Sequence, residues 1–174
     1  MDLTFRWRAF DELSPAELHA LLQLRSRVFV VEQQCVFLEV DGRDPDAFHL
    51  LGYTTRRLNG DASAHDPGAG PSARALAAGD THLAACARVF APGVRHAEAS
   101  IGRVVTHPAV RGEGTGRALM RAAIAEVESR WPGIAIRLEA QRYLERFYES
   151  FGFAVAGAPY LEDDIPHIPM RRGA

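Results

Sequence analysis

A glycine-rich turn at residues 111–117, Arg-Gly-Glu-Gly-Thr-Gly-Arg, has the residue types and spacing to bind an anion. An apolar stretch precedes it and an amphipathic pattern follows, so its backbone N–H groups would lie at a helix N-terminus. Gly114 and Gly116 lack side chains that would block a ligand, and Arg111 and Arg117 can add charge-assisted hydrogen bonds. The turn predicts a site for a phosphate or pyrophosphate group.

Two common phosphate-binding motifs do not fit this turn. A P-loop and a dinucleotide-binding fingerprint that start at Gly112 would both need a glycine at position 117, where the sequence has Arg117, and the P-loop would also need a lysine. The glycine spacing alone is equally consistent with a helix start that binds nothing. Other segments must therefore decide what the turn does.

Apolar and alternating patterns predict the elements that position the turn. A capping box that begins at Ser14 predicts the first helix, which ends in the apolar run 28–31. Further helices are predicted at 114–130 and 142–150. Strands are predicted at residues 3–9, 48–55, 82–90, 99–106 and 134–139, with two short ones at 153–156 and 167–171. This order predicts an α/β domain with a mixed sheet.

Two segments together resemble the GNAT superfamily of acyl-CoA-dependent N-acyltransferases. Residues 111–116 fit its R/Q-x-x-G-x-G/A signature. Residues 141–153, QRYLERFYESFGF, are similar to its N-x-x-A-x-x-x-Y-x-x-x-G-F segment, with Gln141 in place of the usual asparagine and Leu144 in place of the usual alanine. The presence of both motifs in this order indicates the family more strongly than either motif alone.

Flanking segments narrow the resemblance to the ElaA-like branch of bacterial GNAT proteins. Residues 22–33 and 165–170 carry that similarity, and the resemblance covers residues 3–172. It implies an α/β fold of the GNAT type, with a mixed, mostly antiparallel β-sheet that is splayed between its fourth and fifth strands and flanked by helices. Residues 1–174 would form a single N-acetyltransferase domain, in which 59–80 are predicted to be a flexible loop insertion.

The resemblance implies acetyl-CoA as co-substrate, bound between the fourth and fifth strands. The pantetheine arm would bind the backbone of the fourth strand like an added strand, and the pyrophosphate would lie on the amides of the glycine-rich turn. The residues that it assigns to the cofactor are Val104, Val105, Arg111, Gly112, Glu113, Gly114, Thr115, Gly116, Arg117, Gln141 and Phe147.

The resemblance also implies a catalytic residue, because Tyr148 matches the position of the family's usual general acid. Its phenol would then stabilise the departing CoA thiolate. A tyrosine on a short amphipathic helix also fits simple packing. No general base is singled out, and proton removal through water is an equal alternative. The candidates are Glu32, Glu39, Asp41, His49, Glu139, Glu162 and His167.

The acceptor is expected to be a primary amine, on a small molecule or a peptide, that attacks the thioester directly in a ternary complex. The polar residues expected near it are Arg25, Glu32, Gln34, Glu162 and His167. Two other functions remain open: a non-catalytic acyl-CoA binding or sensing module, and a nucleotide-binding domain. Thiol release in the presence of amines would distinguish an enzyme from a non-catalytic acyl-CoA binding module. Preference for CoA over nucleotides would distinguish both of these from a nucleotide-binding domain.

Composition excludes several other classes of protein. The 174 residues carry a formal net charge of −2 at pH 7, so the basic footprint of a nucleic-acid-binding protein is missing. No apolar stretch approaches the roughly 20 residues of a membrane helix. Cys35 and Cys86 are far apart, which predicts reduced thiols in a cytoplasmic protein.

The histidines and the basic residues carry further information. The seven histidines form no metal-ligand motif, so no metal is expected. All 20 basic residues are arginine, a bias that a GC-rich bacterial coding sequence would produce. The family resemblance is compatible with a homodimer.

Overall fold

The computed structural model describes residues 2–58 and 81–173, so the predicted loop insertion 59–80 lies outside the described residues. In that part of the chain, eight strands form one sheet. They are β1 (Thr4–Ala9), β2 (Phe48–Thr54), β3 (His82–Phe90), β4 (Ala99–Thr106), β5 (Ile136–Gln141), β6 (Ala154–Val155), β7 (Tyr160–Glu162) and β8 (Ile165–Arg172).

The sheet order is β1-β2-β3-β4-β5-β8-β6, and β7 also pairs with β8. All these neighbours are antiparallel except β4 and β5, which run parallel. Parallel neighbours need a long crossover connection, and here a helix provides it. The predicted mixed, mostly antiparallel sheet is confirmed.

Within the described ranges, three α-helices accompany the sheet: α1 (Pro15–Arg25), α2 (Thr115–Arg130) and α3 (Glu145–Glu149). The predicted capping box is present, because the Ser14 side chain accepts from the Glu17 N–H at 3.2 Å while the Glu17 carboxylate accepts from the Ser14 N–H at 3.0 Å. After Arg25 the chain continues as a π-helical segment, Ser26–Glu32. This segment carries the first helix toward the splayed part of the sheet.

Helices α1 and α2 cover different faces of the sheet. On the α2 face, alternate residues of the strands pack against helix residues that recur at helical spacing, such as Leu119, Ala123 and Val127. On the α1 face, Leu21, Leu24 and Val28 pack in a smaller apolar cluster with residues of β2, β3 and β4. The main core therefore lies between α2 and the sheet.

One strand was missed by sequence reasoning. The three residues of β7 are all exposed and show no apolar alternation. The strand exists because Asp163 and Asp164, with φ of 50° and 61°, form a two-residue turn that folds it onto β8. Aspartate tolerates this left-handed backbone better than most residues do.

Candidate active site

The gap between β4 and β5 begins at an irregularity in β4. The register against β3 shifts so that Ala87 faces two residues, Arg103 and Val104, and Arg103 has a left-handed backbone with φ of 50°. Such a β-bulge bends a strand and redirects its side chains. The paired part of β4 and β5 ends where Ser100 lies opposite Arg137. The predicted splay between the fourth and fifth strands is confirmed.

The glycine-rich turn follows β4 and leads directly into α2. Gly112 and Gly114 have left-handed φ values of 78° and 83°, a conformation that residues with a Cβ disfavour. The Thr115 hydroxyl donates to the Val110 carbonyl at 3.0 Å, which fixes the turn against the residues before it. No side chain of the described residues caps α2 at Gly114. The turn therefore presents backbone N–H groups at the mouth of the gap.

Two contacts from the end of the π-helical segment reach both arms of the splayed sheet. The Glu32 carboxylate accepts hydrogen bonds from the Arg111 guanidinium at 2.6 Å and 3.0 Å. The Gln33 side-chain oxygen accepts from Gln141 Nε2 at 3.2 Å. Glu32 therefore pairs with Arg111, which the sequence predicts to bind a phosphate.

A cleft of about 1120 Å³ occupies the gap. Of the cofactor residues predicted from the sequence, all but Glu113 line it: Val104, Val105, Arg111, Gly112, Gly114, Thr115, Gly116, Arg117, Gln141 and Phe147. The Glu113 carboxylate turns away and accepts two hydrogen bonds from Arg56, at 2.8 Å and 3.1 Å. Only the backbone of Glu113 can therefore contribute a donor to the turn.

Tyr148 lies on α3, is 6% exposed and lines the cleft. Its ring packs edge-on against Phe147 and Phe153. Burial raises the pKa of the Tyr148 phenol, and Tyr143 adds to that effect. No other described residue hydrogen-bonds to its hydroxyl. The side chain is thus a protonated hydrogen-bond donor in the cleft wall, which is the form that a departing thiolate needs.

The opposite wall of the cleft is built by β5, β7 and β8. His167 lies beside Gln141, and its ring stacks on Tyr160 with centroids 5.9 Å apart. The His167 Nδ1 lies 2.8 Å from the Ile165 carbonyl oxygen. Because that oxygen can only accept, Nδ1 carries the proton of the neutral ring and Nε2 keeps a lone pair.

A buried cluster of ion pairs lies under the end of the cleft where β4 and β5 still pair. Arg25 is paired with Glu39 and Asp44, and Arg88 is paired with Asp44 at 3.1 Å and Asp41 at 2.7 Å. Burial opposes the charge on Asp44, but the hydrogen bonds and charges of the two arginines hold its pKa below the ordinary value. Burial also opposes the charge on Asp41, but hydrogen bonds from the Arg88 side chain and the Arg43 N–H, with the charges of Arg88 and Arg103, lower its pKa. These carboxylates stay ionised inside the protein.

Two of the residues expected near the acceptor do not lie there. Arg25 is fully buried, its guanidinium is held by Glu39 and Asp44, and it does not line the cleft. Gln34, with φ of 53°, is not among the residues that line the cleft. The other three predicted acceptor residues, Glu32, Glu162 and His167, do line it.

Three of the base candidates are engaged inside the protein. Glu39 and Asp41 are paired with arginines of the buried cluster. His49 is fully buried, its Nε2 lies 3.1 Å from the Asp44 carbonyl oxygen, and burial lowers the pKa of its ring. None of the three is free to take a proton from an amine.

Sequence reasoning missed most of the aromatic and basic residues in the cleft. Five of them lie on the side of the cleft formed by β3 and the segment after α1: Phe29, Phe37, Arg88, Phe90 and Arg95. They come from three separate segments that form no motif. The period of two along β3, which places Arg88 and Phe90 on one face, is the only signal that could have found any of them. No sequence pattern predicts the bulge at Arg103, since arginine rarely adopts a left-handed backbone.

Comparison with known proteins gives a consistent family assignment. A family model described as an acetyltransferase (GNAT) domain matches residues 74–173. Protein ElaA of Escherichia coli is 37% identical over 164 residues, which cover 93% of this chain and 91% of ElaA. A UPF0039 protein of Synechocystis sp. is 35% identical over 170 residues, covering 98% of this chain and 95% of that protein.

Solved structures agree with the sequence matches. The crystal structure of an acyl-CoA N-acyltransferase from Pseudomonas aeruginosa has a TM-score of 0.79 at 38% identity, covering 99% of this chain and 100% of that one. The crystal structure of E. coli ElaA has a TM-score of 0.78 at 35% identity, covering 98% and 99%. The chain belongs to the GNAT acyltransferase family, which uses acyl-CoA, and its resemblance to the ElaA-like branch is confirmed.

Two further findings concern the described residues only. None of their helices has both the length and the apolar character that crossing a membrane requires. In the same residues, no group of three His, Cys, Asp or Glu side chains is arranged to hold a metal ion.

Proposed function

We propose that this protein transfers an acetyl group from acetyl-CoA to a primary amine by direct attack in a ternary complex. The observation that carries the proposal is the glycine-rich turn, whose backbone N–H groups lie at the mouth of the gap between β4 and β5. A phosphate-binding helix start beside an open strand edge suits a ligand with a pyrophosphate and an extended amide-containing arm.

The edge of β4 supports the binding of the pantetheine arm. After Ser100, β4 has no further strand partner on its β5 side among the described residues. The backbone of Val104 and Val105 can therefore pair with the amides of an extended ligand, in the manner of an added strand. The two residues lie between the bulge and the glycine-rich turn, so the arm would run from the turn toward Arg103.

The pyrophosphate would bind the turn at residues 112–117. Its charge would compete with Glu32 for Arg111, since a guanidinium binds phosphate and carboxylate with the same pair of donors. Arg117 adds a second cation, held over the Phe147 ring at 5.6 Å. Binding would thus exchange one ion pair for another at the mouth of the cleft.

The transfer forms a bond between the amine nitrogen and the acetyl carbon and breaks the carbon–sulfur bond of the thioester. The thiolate that leaves would be stabilised by the Tyr148 hydroxyl, which burial keeps protonated. The amine loses a proton in the same reaction. His167 Nε2 suits this role, directly or through a water, because its lone pair is fixed by the Nδ1 contact with Ile165.

We also propose that the enzyme works in the cytoplasm. Cys35 and Cys86 are both free and buried, which suits a reducing compartment. The acceptor would be a small-molecule or peptide amine.

Substitution of Gly116 tests the cofactor site. A Cβ at Gly116 would meet Phe147 and Thr106 at 3.8 Å, an ordinary contact, so Gly116→Val should fold. Gly114→Val is a poorer probe because φ at Gly114 is 83°, which strains a valine by itself. We expect Gly116→Val to lose measurable acetyl-CoA binding by calorimetry while its thermal unfolding stays close to the wild type.

Thiol release with a panel of primary amines then tests catalysis. Release that depends on both acetyl-CoA and an amine supports the enzyme. Tight acetyl-CoA binding without release across the panel favours a non-catalytic binding module. Unchanged acetyl-CoA affinity in folded Gly116→Val would show that the pyrophosphate binds elsewhere.

A further inference from the structure

The end of the cleft where β4 and β5 still pair holds two arginines on one aromatic ring. Arg95 lies in the turn between β3 and β4 and lines the cleft. Its guanidinium carbon is 5.4 Å from the centroid of the Phe90 ring, and that of Arg88 is 5.1 Å from the same centroid. Arg88 is paired with carboxylates, whereas none of the described carboxylates forms an ion pair with Arg95.

The neighbouring buried charges do not neutralise Arg95. Three guanidinium groups face three carboxylates in the ion pairs of that cluster, which balance one another: Arg25, Arg88 and Arg103 against Glu39, Asp41 and Asp44. Arg95 is then one positive charge in excess. Burial lowers the pKa of Arg95, and the charges of nearby arginines lower it further against the opposing effect of Asp41.

Hydrogen-bond donors without partners lie at the same end. Ser100 is 7% exposed and lines the cleft, and its hydroxyl has no partner among the described residues. The Nε of Arg88, which is 2% exposed, also lacks one there. Buried donors of this kind are costly unless something accepts from them. A carboxylate is an acceptor of the right charge.

The other end of the cleft has the opposite sign. Glu162 and Asp163 line the cleft where β7 turns into β8, and neither forms an ion pair with a described residue. Burial raises the pKa of the Cys35 thiol, and Asp163, Asp164 and Glu162 raise it further. A cationic amine would be attracted to this end of the cleft.

The register of the sheet sets the distance between the two ends. Ser100 lies opposite Arg137 on β5, and His167 lies opposite Gln141. Four residues along a strand span about 13 Å. A pantetheine arm along Val104 would bring its acyl group between the two ends, so an acceptor can reach the thioester while touching Arg95.

We infer that the acceptor is an amine that also carries a carboxylate, with the carboxylate bound by Arg95 and Ser100 and the amine entering past Glu162. This inference rests on the proposed function, because it names the substrate class of the same site. A long side chain such as arginine can reach a carboxylate a few atoms from the reacting nitrogen, which suits an amino acid better than a simple alkylamine.

Matched acids and amides test the inference. Rates of thiol release are compared for glycine with glycinamide and for β-alanine with β-alaninamide, since each pair differs in the carboxylate charge. In the wild type we expect the acid to have a KM at least tenfold lower than the amide. Arg95→Gln should raise the KM of the acid at least tenfold with little change in kcat. Arg121→Gln, an exposed arginine on α2 outside the cleft, is the charge-matched control and should change neither.

A binding measurement separates this inference from the proposed function. Calorimetry of N-acetylglycine and N-acetylglycinamide on the CoA-loaded protein needs no turnover, and the acid should bind at least tenfold tighter in the wild type only. Equal or absent binding of the two probes, or an acid preference that survives Arg95→Gln, would overturn the inference. Failure of CoA itself to bind would instead overturn the proposed function.

Discussion

The two faces of the sheet are built from different chemistry. The face under α2 is apolar, with Leu50, Val89 and Ile101 of the strands packed against helix residues such as Leu119. The face under α1 encloses the buried arginine–carboxylate cluster around Arg25. Burial of apolar surface stabilises the first face directly, whereas the charges on the second must first lose their hydration.

The difference indicates that the two faces have different roles, one in stability and the other in positioning. Apolar residues of similar volume often stabilise a protein as well as a buried ion pair does, so stability alone does not explain the cluster. The ion pairs of the cluster are directional, however, and they connect particular segments of the chain. Glu39 and Asp41 pair with Arg103 at the β4 bulge, and Asp44 links Arg25 to Arg88. The cluster therefore fixes the segment after α1 against the strands at the end of the cleft where β4 and β5 still pair.

The largest expected effect comes from breaking this cluster. Asp44→Asn would leave Arg25 and Arg88 without one of their charge partners in a buried site, and removal of one member of such a pair costs about 3–5 kcal/mol. We expect a loss of that size in urea unfolding at pH 7. We also expect the acceptor KM to rise, because Arg88 lines the cleft.

Leu119→Ala on the other face is the matched control. Truncation of a fully buried leucine costs about 2–5 kcal/mol, so its loss of stability is comparable. Its acceptor KM should stay at the wild-type value at a temperature where both variants are folded. If both variants shift the KM equally, the charged face has no special part in positioning the acceptor.

The pH dependence of stability gives the same comparison without a kinetic assay. The pKa of Asp44 and that of Asp41 lie below the ordinary value of 3.8, so below about pH 5 the unfolded chain binds more protons than the folded one. Stability supplied by these carboxylates is present above that range and is lost as the pH falls. Asp44→Asn should flatten the decline of unfolding free energy between pH 5 and pH 3, while Leu119→Ala should leave its slope unchanged.

The sequence predicts one face of the sheet far better than the other. Helical and strand periods identify the α2 side because burial alone decides which residues lie there, and Leu119 and Val127 follow that rule. The glycine-rich turn is also predictable, since Gly112 and Gly114 mark backbone conformations that few other residues adopt.

The charged face could not be predicted from local patterns. Arg25 bonds to residues 14 and 19 positions away in the sequence, in a segment without regular period, so no local pattern identifies its partners. The end of the cleft where β4 and β5 still pair combines β3, the β3–β4 turn and the segment after α1, which only the tertiary fold brings together. His167 was recognisable as a polar cleft residue, but its tautomer depends on a contact with Ile165 that no pattern indicates.

Substitution of Tyr148 tests the chemistry of the cleft itself. Its expected effect is smaller than that of breaking the buried ion-pair cluster. Tyr148→Phe keeps the ring packing against Phe147 and Phe153 and removes only the donor to the thiolate. General acids contribute about 10²–10⁴-fold, and because a thiolate leaves readily we expect the low end, a kcat reduced about 100-fold. This corresponds to ~2.7 kcal/mol. The Kd for acetyl-CoA should not change, since the interaction forms only in the transition state.

The outcome that contradicts this role is specific. With an acceptor for which chemistry limits the rate, wild-type kcat in Tyr148→Phe would make Tyr148 a packing residue of the α3 wall. Thermal unfolding of the variant provides the control, because loss of an unpaired hydroxyl should change stability little.

The smallest expected effect lies at the mouth of the cleft, where Glu32 holds Arg111. Glu32→Gln would free the guanidinium for the pyrophosphate, so acetyl-CoA should bind more tightly. The pair is 41% exposed on both sides, and exposed pairs are worth only about 0.2–1 kcal/mol, which corresponds to a Kd lower by a factor of roughly 1.4 to 5. Glu113→Gln removes the same charge from the glycine-rich turn, but outside the cleft, and releases Arg56 instead of Arg111, so it isolates the general effect of charge. Calorimetry should show a larger gain in acetyl-CoA affinity for Glu32→Gln, and the difference should shrink as salt is added.

Two outcomes would contradict this interpretation of the Glu32–Arg111 pair. An equal gain in the two variants would mean that Arg111 does not bind the phosphate. A weaker affinity in Glu32→Gln would mean that the ion pair orders the turn before the cofactor arrives.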